Sequence, residues 1–147
     1  MRNPRIEALI PAAIAILQSE VAGGGTQVTD TFKGYFASFG AAVVQSGLLP
    51  AVIFYGQKDN QAEGGKANSG PKAARWKVTW CIYLLLFPET AEGIAKKEQH
   101  AALKDYLLAL RKSGPLSQAE IHRILDAALA LKMALRTFEL VASSPKS

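Results

Sequence analysis

Apolar positions recur three and four residues apart through most of the chain, the spacing that gathers side chains on one face of a helix. Ile6, Leu9, Ile10, Ala13, Ile14 and Leu17 follow it. Ahead of them stand Asn3 as N-cap and Pro4 at the first helical position, where the missing N–H costs nothing. Pro11 lies inside this segment and is expected to bend or delay the helix. The stretch AGGGTQ then breaks it. Phe32, Tyr35, Phe36, Phe39 and Val43 mark a second helix, capped by Thr29 or Asp30 and stopped by Gly47. LLPAVIFYGQ restarts with Pro50 in a first turn, and AARWKVTWCIYLLLF is a strongly apolar helix ended by Pro88. Glu89 and Glu92 after that proline suit a helix N-terminus, where the dipole favours acids.

EQHAALKDYLLALRK is amphipathic through Ala101, Leu103, Tyr106, Leu107 and Leu110. Ser117 with Glu120 forms a capping box that opens the last helix. Its buried side is expected to be Ile121, Leu125, Ala128, Leu131, Leu135 and Phe138. No strand alternation, hairpin turn, βαβ rhythm or fixed-period repeat appears. These patterns predict an all-α protein, a single compact bundle of five to six helices. The 147 residues are expected to form one domain with a flexible loop at 57–73, where glycine, proline and small polar residues collect.

One segment does not fit an ordinary amphipathic pattern. Between Lys33 and Lys58 no residue is charged. Its length would suit a membrane span, with lysines and aromatic residues at both ends. Gln45, Ser46, Gly47 and Pro50 interrupt it, which is better punctuation between two soluble helices. Core burial accounts for the aromatic stripe. It leaves the opposite side, where Lys33, Ala37, Ala41 and Val44 align, with Gly34 and Gly40 nearby. A solvated face would carry charges, whereas small residues allow a second backbone to approach. Two readings are open here: a central helix wrapped by its own bundle, or a face covered by another subunit.

Composition narrows the chemistry. Apolar residues make up 49% and charged residues 20%, which suits a folded globular chain. The single cysteine, Cys81, allows no disulfide framework or cysteine metal site, fits a reducing cytoplasm, and sits in an apolar run that suggests a structural role. Arginines before an apolar N-terminal stretch resemble a secretory leader, but Glu7 and Pro11 interrupt it, and an amphipathic helix is the simpler reading. Phosphate-binding glycine loops, a nucleophile elbow and helix-borne His–Glu metal pairs are all missing from the sequence. His122 falls on the solvent side of its helix. No enzyme, cofactor or metal is expected.

The net charge is +5, and it is unevenly placed. Residues 1–57 are neutral, with three bases and three acids, whereas residues 58–112 carry ten bases and six acids. Lys66, Lys72, Arg75 and Lys77 follow one another with no acid between them. Such an excess points to an anionic partner. Trp76 and Trp80, four apart on one helical face, suit core packing or, less simply, base stacking.

In this order of elements the chain resembles the small, all-helical subunit of the Cmr-type (type III-B) CRISPR RNA-silencing complex. The stretch KGYFASFGAAVVQSGLLPAVIFYGQK carries the likeness, with a helix leading into a Gly-Leu step and an apolar helix ending in an aromatic residue. A long loop, the tryptophan-bearing helix RWKVTWCIYLLL and the closing helix ILDAALALKMALRTFEL follow in the same order. The resemblance implies a non-catalytic, cytoplasmic subunit. It would stack in several copies, beside other Cmr-type subunits, along a ribonucleoprotein that holds guide RNA and target RNA. It implies RNA-contacting roles for Lys33, Lys66, Lys72, Arg75, Lys77 and Arg136, and a subunit interface at Gly34, Ala37, Gly40 and Ala41. The alternative is a helical adaptor that holds a protein partner on the same apolar face without RNA.

Overall fold

A computed structural model describes residues 4–57 and 75–141. Helix α1 spans Pro4–Glu20, α2 Asp30–Ser46, α3 Leu48–Tyr55, α4 Lys77–Leu86, α5 Pro88–Ala91, α6 Ala102–Arg111 and α7 Gln118–Leu135. A short 3-10 helix, Lys96–Ala101, leads into α6. The all-α expectation holds among the described residues, with a compact helical core. The expected loop at 57–73 lies outside them apart from Gln57, which is not helical.

The uncharged run is divided where its punctuation indicated. Gly47 adopts φ +98°, a conformation that side-chain-bearing residues rarely take, and separates α2 from α3. No helix among the described residues is long and apolar enough to cross a membrane. Helix α4 is the central element: Val78, Thr79, Trp80, Cys81, Ile82, Tyr83 and Leu85 are all buried. The Trp80 indole N–H donates to the Glu20 carboxylate at 3.2 Å, which satisfies the polar edge of a ring that is otherwise core.

Three details depart from the sequence pattern. Helix α1 runs unbroken through Pro11, whose ring lies exposed, so the hydrogen bond it cannot donate is lost on the solvent side. The buried surface of α7 is wider and turned from the expected stripe. Ala127, Ala130 and Ala134 are fully buried, whereas Ile121 and Leu125 are half-buried. Alanine is short, so α1 can lie close to α7; Arg5 Nη2 also meets Asp126 Oδ2 at 3.2 Å along this pair.

The third departure is a pair of three-residue strands. Strand β1, Gln27–Thr29, runs parallel to β2, Glu139–Val141, with Val28 opposite Leu140. Such short strands offer no alternation to read, and their pairing joins segments far apart in sequence. The Glu139 N–H donates to the Thr26 carbonyl at 2.9 Å and secures the register.

The start of α7 is capped as its sequence implies, with a variation. Ser117 Oγ accepts from the Glu120 N–H at 3.1 Å. The Glu120 carboxylate accepts from Tyr106 Oη at 2.8 Å and lies near Arg123, so it ties α6 to α7 rather than closing the box. Burial, and then this bond to Glu120, push the Tyr106 hydroxyl above its ordinary range.

Candidate functional site

Helix α2 packs Phe36, Phe39 and Val43 inward, which fixes what points outward. Lys33, Gly34, Ala37 and Ala41 are exposed and Gly40 is half-exposed. Val44 is 82% exposed, an unusual position for a β-branched apolar residue. A methyl group added at Gly34 or Gly40 would meet nothing within 4 Å. The packing of this chain therefore does not require either glycine, although each weakens a helix interior by about 1 kcal/mol relative to alanine.

Beside this bare face runs a groove between α2 and α7. Its first part, about 400 Å3, is lined by Lys33 and Ala37 of α2, by Lys132 and Leu135 of α7, and by Arg136, Phe138 and Leu140 beyond it. The second part, about 280 Å3, continues past Gly40, Val44, Leu125 and Leu129, and shares Ala37 and Lys132 with the first. The floor is apolar and the rim is cationic. Among the described residues no carboxylate, histidine or cysteine lines either part. Such a lining can hold an anion by charge and an apolar side chain by burial.

The fold thus brings Lys33 and Arg136 together, from opposite ends of the chain. It adds Lys132, which sequence reasoning passed over. The spacing of Lys132 and Arg136, four apart on one helical face, was a readable signal. Their approach to Lys33 was not, since it depends on how α2 lies against α7.

The other basic residues stand elsewhere. The Arg75 guanidinium lies 4.4 Å from the centre of the Phe54 ring. Lys77 begins α4 and donates to the Glu20 backbone carbonyl at the end of α1. It lines a separate pocket with Trp76, Lys96 and Lys97. Lys66 and Lys72 lie outside the described residues.

Other candidate chemistry is sparse. Cys81 is fully buried, and burial drives its thiol far above the ordinary range; the Glu20 charge adds to the effect and Lys77 opposes it. A thiol kept neutral in this way is a poor nucleophile. His122 is exposed, as its position on α7 implied. Among the described residues no three His, Cys, Asp or Glu side chains are grouped so as to hold a metal ion. Compared with protein families, with curated proteins and with solved structures, the chain matches none.

Proposed function

We propose that this chain is a non-catalytic small subunit of a Cmr-type (type III-B) CRISPR ribonucleoprotein in the cytoplasm. It stacks in several copies through the α2 face at Gly34, Ala37, Gly40 and Ala41. It contacts the backbone of guide and target RNA through Lys33, Lys132 and Arg136. One observation supports this reading best: the small-residue face of α2 is bare, and Lys33 of α2, Lys132 of α7 and Arg136 just beyond it line one pocket at its edge.

Phosphate contacts suit a complex that serves any guide, because they give affinity without reading sequence. A repeated heterologous contact builds a row of subunits rather than a closed dimer. A weak RNA contact made by each copy then gains by multivalency. The apolar floor of the groove is the observation that favours the alternative, an adaptor holding a protein side chain without RNA.

Affinity purification of the tagged chain from its native host separates the two. RNA and several other subunits recovered with it support the ribonucleoprotein, and a protein partner free of RNA supports the adaptor. In the recovered complex, Lys33→Ala with Lys132→Ala and Arg136→Ala weakens RNA duplex binding. It also makes the dependence of log affinity on log salt shallower by about one for each lost phosphate contact. Duplex binding unchanged at low salt removes these residues from the RNA surface.

A further inference from the structure

Trp76 and Trp80 are one helical turn apart and have different surroundings. Trp80 is 2% exposed, its N–H taken by Glu20. Trp76, just before α4, is only half-buried. It forms a wall of a pocket of about 630 Å3, built from the last turn of α1 (Ser19, Glu20), the start of α4 (Trp76, Lys77) and the 3-10 helix (Lys96, Lys97, Gln99). The lining has three lysines and one carboxylate, and that carboxylate already accepts from Trp80. Lys77 is held at the mouth by the Glu20 carbonyl, with its ammonium 5.8 Å from the centre of the Trp76 ring. Lys96 and Lys97 are exposed.

An accessible indole beside clustered ammonium groups has the two elements that bind a nucleotide without regard to sequence: a flat surface for the base and positive charge for the phosphate. A paired base is stacked on its neighbours and cannot reach such a ring, so the pocket suits a single strand. We infer that it is a second nucleic-acid site, which takes a nucleotide unit of a single strand with its base on Trp76 and its phosphates on Lys96 and Lys97. This site shares no lining residue with the α2–α7 groove and does not depend on the duplex contact proposed there.

The test uses the purified full-length chain and a fluorescently labelled oligouridylate of about 12 nucleotides, within the site sizes single-strand binders cover. Anisotropy rises with the wild-type chain. Trp76→Leu weakens binding about tenfold, the loss expected for one base stack. Lys96→Gln with Lys97→Gln weakens it too, and lowers the salt slope by about 1.4, or about 0.7 per single-strand phosphate contact. This exposed pair keeps the test decisive if Trp76→Leu does not fold.

With Lys33→Ala, Lys132→Ala and Arg136→Ala already in place, Trp76→Leu still weakens oligouridylate binding about tenfold, so failure of the groove proposal and failure of this one are distinguishable. The inference is overturned if the strand does not bind, if the Lys96/Lys97 variant binds like the wild type, or if a duplex of the same length binds as well as the single strand. It is also overturned if uridine monophosphate competes as well as the strand per nucleotide, which would make the ligand a free nucleotide.

Discussion

Two sides of α7 meet two helices differently. Where α7 packs on α1 and α4, Ala127, Ala130 and Ala134 are fully buried, and α1 contributes Ile6, Ala13 and Leu17 to the same core. On the side toward α2, Leu129 and Met133 remain part-exposed, and a groove is left between the helices. Small residues occur on both sides, since Gly34, Ala37, Gly40 and Ala41 of α2 are as slim as the alanines of α7. The difference is in the complement. Helix α1 adds the large side chains of Ile6 and Leu17 to the core it shares with α7, whereas Phe36, Phe39 and Val43 of α2 point into the core and leave only its slim face beside the groove. Charge reinforces the difference, because Lys33 shares the groove with two further cations and, among the described residues, no acid lines it. Slimness in a sequence therefore marks where a helix can be approached, and the neighbour's side chains decide whether its own chain does so.

That comparison can be broken at five positions. Leu17→Ala, on the filled side, should destabilise the fold by about 2–5 kcal/mol, the usual result of emptying a core site. Val44→Ala, at the open groove, should stay within about 0.5 kcal/mol. Denaturant unfolding of the two variants in parallel checks this, and equal losses would mean that the groove is as much core as the α1 seam. Ala130→Leu comes next, forcing extra volume between helices already in contact, at about 1–3 kcal/mol. Thermal melting reads the loss, at roughly 2–4 °C for each kcal/mol in a chain near this size.

Tyr106→Phe, where α6 is bonded to the first turn of α7, should cost about 0.5–1.5 kcal/mol for its bond to Glu120. It should also change the alkaline limb. The folded state raises the Tyr106 hydroxyl above its ordinary value of 10.0, so it favours the neutral form. The stability this provides is complete below that value and is lost as pH rises past it, when the unfolded chain ionises first. Unfolding measured on both sides of that value should show the wild type falling more steeply than Tyr106→Phe. The last effect has the opposite sign. Gly40→Ala should stabilise the isolated chain by about 0.5–1 kcal/mol, because α2 gains a better helix former and the methyl meets nothing. It should weaken self-association in sedimentation at the same time; a loss of stability would show that the face is occupied within the fold.

How much of this was legible in the sequence follows from the range of the forces. Local signals were legible: Gly47 as the stop between α2 and α3, Ser117 as the cap of α7, and the inward stripe of α2 at Phe36, Phe39 and Val43. Signals that depend on a distant partner were not. The orientation of α7 was expected from its larger side chains, but an element with neighbours on several sides buries its alanines too. Glu120 fulfilled half of its expected role and then took Tyr106, which stands in another helix. The candidate site divides along the same line. Lys33 and the slim face of α2 could be named from the chain, whereas Lys132 gained its place only when α2 came alongside α7.

The short parallel pair has a consequence for when the groove can exist. Phe138 and Leu140 form part of its floor, and Leu140 is held opposite Val28 by the pairing of β2 with β1. A ribosome that has released everything through α6 has produced the slim face of α2 but not Lys132, Arg136 or the strand that completes the floor. The hollow is therefore finished late in translation, when residues 139–141 reach a strand made more than a hundred residues earlier. A chain stalled before that point would expose the slim face of α2 with the hollow beside it unfinished.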